Sequence, residues 1–177
     1  MKSKNDQYRK IAAKISSFKE KAIIGITSAD EEFSSSEISY KLAKVMSENK
    51  KVFYIDLDND FANDEEFANI NLLYRKEETI KKDGNLFRLN FTKSDDVAMI
   101  LESKDFENFF MSIKDDCDYI IINEKSYKYS QAYLAAKFED CKIFVVNEDE
   151  TDKNILKASI GEFEDMGIEI LGVIYNK

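Results

Sequence analysis

The sequence predicts a three-layer α/β/α fold, a doubly wound and mainly parallel sheet covered by helices on both faces. Three observations carry this expectation. Apolar runs of strand length alternate with segments whose apolar residues recur at helical spacing. The runs are continuous rather than alternating, as strands buried on both faces require. The chain has 177 residues, 44% of them hydrophobic, which suits one domain with one sizeable core. Residues 1–177 therefore read as a single domain.

The first helix is expected over residues 3–20, where Tyr8, Ile11, Ala12, Ile15 and Phe18 share one face. Lys2, Lys4, Arg9, Lys10, Lys14, Lys19 and Lys21 make this amphipathic segment basic. A helix packed on its own domain with a solvated basic side is the plain reading. A docking or self-association helix, or one near an anionic membrane surface, is the sharper one. Ala22–Ser28 reads as a buried strand. Residues 36–49 form a helix with Ile38, Leu42, Ala43, Val45 and Met46 inward. A second strand at 51–56 runs into the acidic group Asp56-Leu57-Asp58-Asn59-Asp60.

A helix is expected at 65–74, a turn at Asp83-Gly84-Asn85 and a third strand at 86–91. Residues 95–116 are helical, broken near Ser103. A fourth strand spans 118–123, a helix carrying Tyr127, Tyr129 and Tyr133 spans 125–138, and a fifth strand spans 142–147. A last helix at 151–166 ends at Gly167, a residue suited to close a helix, and a sixth strand follows at 168–175. In parallel sheets of this kind ligands sit at the carboxyl ends of the strands. Here those ends are Thr27-Ser28, Asp56-Leu57-Asp58, Asn123-Glu124 and Asn147-Glu148.

Composition narrows the function. A formal net charge of −9 speaks against nucleic-acid binding, which needs a basic face. Histidine is absent, removing the commonest general base and metal ligand. Five glycines and no proline are unusual for a protein that wraps phosphates in backbone. Cys117 and Cys141 border apolar runs and read as buried small hydrophobes. No leader-like apolar core and no run long enough to span a bilayer is seen, so a cytoplasmic protein is expected.

The order of these pieces resembles the MinD/ParA-like branch of the P-loop ATPases. Within it the chain is most similar to the bacterial tyrosine kinases of capsule and exopolysaccharide assembly. The resemblance rests on Tyr8-Arg9 ahead of the apolar helix, Ile-Ile-Gly-Ile-Thr-Ser-Ala at 23–29, and Val-Phe-Tyr-Ile-Asp-Leu-Asp at 52–58. It also rests on Asp-Tyr-Ile-Ile-Ile at 118–122 and Leu-Gly-Val-Ile-Tyr-Asn at 171–176. It implies a P-loop NTPase-like fold, with ATP or ADP and Mg²⁺ as cofactors wherever the site is intact.

The motifs that would carry the chemistry depart from that family. Its phosphate loop reads [Gly/Ala/Ser]-x4-Gly-Lys-[Ser/Thr], and this chain has Ala29, then Ser34-Ser35-Ser36. Ala29 and Ser36 fit, Ser34 replaces the glycine and Ser35 replaces the lysine. An early signature lysine falls at Asp30, and Glu31 and Glu32 follow. The lysine and the glycine-loop amides normally neutralise and cradle the phosphates. Three carboxylates would instead repel a triphosphate by about 1 kcal/mol or more per close contact. A helix N-terminus returns only about 0.3–1 kcal/mol. Ser34-x-x-Glu37 has the spacing of a capping box, so the loop carries the chemistry of a helix cap.

The second acidic motif keeps Asp56 and Asp58, but Asp60 stands at its arginine position. The Walker B strand ends in Asn123 where the family has aspartate, and Ser126 stands at the proline position. Asparagine brings no charge to hold Mg²⁺. If any metal bound, Ser36, Asp56, Asp58 and Asn123 would hold it, and Asn176 would lie by the base. The family's oligomerisation motif survives only as Asp6-x-x-Arg9-x-x-Ala12.

The expectation is a non-catalytic relative, without a cofactor or metal, that acts through protein partners. Those implied by the resemblance are the cytosolic part of a membrane polysaccharide co-polymerase, an active homologue or another copy of the chain, with recruitment to the membrane face by such a partner. The face around Ala29–Ser36 and 56–60 should be acidic and empty. The alternative is an ATPase or tyrosine kinase with a rearranged site, in which Asp56 and Asp58 serve catalysis. A ParA-like localisation module is the weakest reading, because no basic surface accompanies it.

Overall fold

The structure, a computed structural model, describes residues 4–30, 35–58, 80–91, 96–147 and 151–176. Its centre is a seven-stranded sheet in the order β3-β4-β2-β5-β1-β6-β7. The strands are β1 (Ala22–Ser28), β2 (Val52–Asp56), β3 (Lys81–Asp83), β4 (Leu86–Asn90), β5 (Tyr119–Asn123), β6 (Cys141–Asn147) and β7 (Glu169–Asn176). All pairings are parallel except β3 with β4. The helices are α1 (Lys4–Phe18), α2 (Ser36–Met46), α3 (Val97–Glu102), α4 (Lys104–Lys114), α5 (Ser130–Ala136) and α6 (Lys153–Asp165).

Alternation of side chains along the strands divides the core in two. Ile24 and Ile26 of β1, Val52 and Tyr54 of β2, and Tyr119 and Ile121 of β5 face α1 and α2. Ile23, Phe53, Ile55, Ile120 and Ile122 face α3, α4 and α5. Phe144 and Val146 of β6 pack with Ala132 and Ala136 of α5 and Phe163 of α6. Helices on both faces make the doubly wound, three-layer arrangement expected from the continuous apolar runs. Tyr8, Ile11, Ala12 and Ile15 of α1 pack against this core.

Local chemistry accounts for the boundaries. Ser103 ends α3 and starts α4. It sits in the extended region and its hydroxyl accepts from Phe106 N, so one residue breaks the helix and caps its continuation. Asp96 and Asp152 cap α3 and α6 in the same way. Gly84 (φ 59°) turns the β3–β4 hairpin and Gly167 (φ 84°) follows α6, both left-handed positions that suit glycine. The short strand β3 was not expected from the sequence. Its residues Lys81, Lys82 and Asp83 are all exposed and lack an apolar pattern.

Two expectations are corrected. The helix anticipated at 125–138 is only Ser130–Ala136, so Tyr127 and Tyr129 lie in the turn before it and only Tyr133 is helical. Val45 is half-buried, and the inward face of α2 carries Ser39 instead. The helix anticipated at 65–74 lies outside the described residues.

Candidate functional site

The carboxyl ends of β2 and β5 and the N-terminus of α2 meet at the amide of Asn123, which is fully buried. Its Oδ1 accepts from Ser35 Oγ at 2.7 Å and from Ser39 Oγ at 3.0 Å. Its Nδ2 donates to Ser36 Oγ at 2.8 Å and to Asp56 Oδ1 at 2.7 Å. An amide offers two acceptor and two donor positions, and all four have partners here.

The network continues through Asp56. Its Oδ1 also accepts from the backbone N–H of Asp58 at 3.2 Å, and its Oδ2 accepts from Tyr54 OH at 3.2 Å. Tyr54 OH lies 3.1 Å from Ser39 Oγ, closing the circuit. Burial, only partly offset by the Asn123 amide, raises the Asp56 carboxyl to a pKa of about 6. Burial and the Asp56 carboxylate push the Tyr54 phenol well above its ordinary range.

Of the residues nominated from the sequence, Ser35, Ser36, Asp56 and Asn123 are thus brought together, with Asp58 beside them. Ala29 is buried and its N–H donates to Val145 O at 3.0 Å. Asn176 ends β7 opposite Asn147, three strands from Asn123 in the sheet, and takes no part in the network. Ser34, Glu31, Glu32 and Asp60 lie outside the described residues. Ser35 rather than Ser34 is the residue before α2, and its hydroxyl turns to Asn123 instead of capping the helix. The Asp30 carboxylate accepts from the Thr151 hydroxyl, joining a residue just after β1 to one just before α6. Asp6 pairs with Lys10 at 3.4 Å and Arg9 with Glu48 at 3.2 Å, both on the exposed surface.

Ser39 and Tyr54 were missed by the motif reading. Both have a spacing signal: Ser39 is one turn after Ser35 and Ser36 on α2, and Tyr54 precedes Asp56 by two on the same strand face.

A second polar cluster lies beyond Asn123. Glu124, Glu139 and Lys142 are fully buried beside Gly25. Lys142 Nζ donates to Glu124 Oε2 at 2.5 Å. It lies 2.9 Å from Glu139 Oε2 and 4.5 Å from the centre of the Phe163 ring. A Cβ on Gly25 would overlap the Glu139 carboxylate, so glycine is what admits that group. Burial and the neighbouring Glu139 push the Glu124 carboxyl well above its usual range. For Lys142, burial alone would lower the pKa, but the two carboxylates outweigh it and hold the ammonium above its usual value.

No protein-family model matches this chain, and no curated protein sequence does. Solved structures do. The kinase domain of the Escherichia coli tyrosine kinase Etk superposes with a TM-score of 0.81 at 17% identity, covering 97% of this chain and 74% of that one. The kinase domain of VpsO gives 0.76 at 18%, covering 98% of both chains. The MinC–MinD cell-division complex of Aquifex aeolicus gives 0.64 at 20%, covering 88% and 68%. The fold is that of the MinD/ParA-like P-loop ATPases.

In this P-loop fold the network occupies the position where the sequence resemblance would place a magnesium ion. The groups present do not suit one. Asn123 is neutral, both Asp56 oxygens accept internal hydrogen bonds, and the Asn123 amide donates to Ser36 Oγ. A hard divalent cation calls for anionic or freely directed oxygens. Among the described residues no cluster of three or more acidic or thiol ligands could hold a metal, and no helix is long and apolar enough to cross a membrane.

Proposed function

We propose that this chain is a non-catalytic relative of the bacterial tyrosine kinases that acts by binding a protein partner in cell-surface polysaccharide assembly. The single observation that carries the reading is the saturated amide of Asn123. An aspartate there would leave its carboxylate free to face a metal. The asparagine instead donates into Asp56 and Ser36, and the serine at the lysine position points inward to the same amide. The network holds the ends of β2 and β5 and the start of α2 together with hydrogen bonds alone.

The kinase-domain likeness supports a role beside the kinases and their membrane co-polymerases, at the cytoplasmic face. An active homologue is a partner of the same kind. In this reading the domain contributes surface, not phosphoryl transfer.

Calorimetric titration with ATP and ADP, with and without Mg²⁺, tests the proposal. The expected result is no heat and no thermal shift up to millimolar nucleotide. Magnesium-dependent binding would overturn it and return Ser36, Asp56 and Asp58 to the role of metal and nucleotide ligands.

A further inference from the structure

The cluster of Glu124, Glu139 and Lys142 is out of balance. Two carboxyl groups face one ammonium, and all three side chains are wholly buried. Lys142 Nζ is fully committed. It contacts Glu124 Oε2 at 2.5 Å, Glu139 Oε2 at 2.9 Å and the Phe163 ring at 4.5 Å. Beyond that ion pairing, Glu124 Oε1 and both Glu139 oxygens receive no hydrogen bond from the described residues. Buried polar atoms left without partners are rare, and an uncompensated charge in the interior is costlier still.

The surrounding elements do not supply the missing positive charge. On β1, Gly25 lies against Glu139 and brings no side chain. Around the end of α5, Lys137 Nζ donates to Leu101 O. Asp140 accepts from Ile23 N and lies 3.9 Å from Lys19 Nζ. On α6, Phe163 faces the cluster and Glu162 accepts from the Tyr133 hydroxyl. The charged groups that act on Glu124 are Glu139 and Lys142, and those that act on Lys142 are the two glutamates.

We propose that Glu124 and Glu139 share one proton at neutral pH, and that this proton clamps the residues just after β5 and α5 to β6. The proton is the donor that the carboxylate oxygens lack, and it brings the cluster to zero net charge. It belongs to the pair, one group serving as acid and the other as the carboxylate beside Lys142. Glu139 acts on Glu124 both as a like charge and as a hydrogen-bond partner, and both effects raise it. Two carboxyl groups hydrogen-bond each other only when one of them carries a proton. The unfolded chain gives up such a proton near the ordinary glutamate value of 4.5, and the folded cluster keeps it well above that. Folding therefore takes up one proton from solvent between the two values. The stability it confers is full below about 4.5 and is lost as pH rises through the higher, folded value.

Infrared spectroscopy of the whole chain at about pH 7.5 tests the proposal. Asp56, with its pKa of about 6, is then ionised, so a protonated-carboxyl C=O band reports the cluster. The expected result is one such band that vanishes in Glu124→Gln and in Glu139→Gln, because either change leaves a single carboxylate to pair with Lys142. Glutamine supplies an N–H in place of the shared proton, so both variants should keep the fold. Urea unfolding gives a second readout. The parent's folding constant should fall about fivefold to tenfold between pH 7 and pH 8. That range lies below the ordinary thiol value of 9.0, where Cys117 and Cys141 would begin to contribute. In Glu124→Gln the fall should shrink to less than about twofold. No band in the parent, a band that survives in either variant, or an equal fall in the parent and Glu124→Gln would overturn the proposal. The band is read on the parent itself, so a variant that fails to fold does not shield it.

Discussion

Replacing Asn123 with aspartate puts a second carboxyl group beside Asp56 and should destabilise this protein in a pH-dependent way. The substitution removes the Nδ2 donor that lies 2.7 Å from Asp56 Oδ1 and 2.8 Å from Ser36 Oγ. Loss of a hydrogen bond to a charged group costs about 1.5–3 kcal/mol. It also places a second carboxylate against the first. Two unit charges about 4 Å apart repel by about 4 kcal/mol at an effective dielectric of about 20. The pair avoids much of that by keeping one proton, which then bridges the two groups.

Asp56 sets the window. Its folded pKa, about 6, lies above its ordinary value of 3.8. The native state therefore holds this proton more tightly than the unfolded state. The stability it confers is full below about pH 4 and is lost as pH rises through about 6. A second carboxylate extends that loss to higher pH. Urea unfolding should show Asn123→Asp less stable than the parent by about 3 kcal/mol at pH 8 and by under about 1 kcal/mol at pH 5. An equal loss at both pH values, or none, would refute the reasoning, because it would mean that the Asn123 amide is not the donor on which Asp56 depends.

Two more substitutions probe the second cluster. Gly25→Ala pushes the Glu139 carboxylate out of its place beside Lys142 and should cost about 2–3 kcal/mol by denaturant unfolding, far above a glycine-to-alanine change in open space. Lys142→Met strands two buried carboxylates and should cost about 3–5 kcal/mol at pH 8. Burial already holds the Glu124 carboxyl well above its usual range, so its protonation relieves part of that cost and the same measurement at pH 5 should give a smaller loss.

The fold was legible because its signals are local and additive. The apolar runs at 22–28 and 119–123 are too continuous for a surface strand. Ser103 and Gly167 punctuate helices by their own backbone preferences. The candidate site was half legible. Ser35, Ser36, Asp56 and Asn123 could be nominated from motif positions, but Ser39 belongs to no motif and Tyr54 was only a strand residue within one. The capping spacing of Ser34 and Glu37 did not foresee that Ser35 would be the residue before α2. Glu139 and Lys142 were not nominated and Glu124 was noted only as a strand end, since nothing along the chain reports that the three meet beside Gly25 with the Phe163 ring of α6 against Lys142.

The sequence alone determined the layers, the order of the elements other than β3, and the presence of Ser35 and Asn123 at the positions the resemblance singles out, because periodicity and residue identity are properties of the chain itself. Only the tertiary structure decided what those residues touch. Four hydrogen bonds converge on Asn123 from α2, β2 and the residue before α2. Their partners are separated by 67 to 88 residues, a distance no local pattern spans. Which polar groups meet in the interior is set by how strands and helices stack.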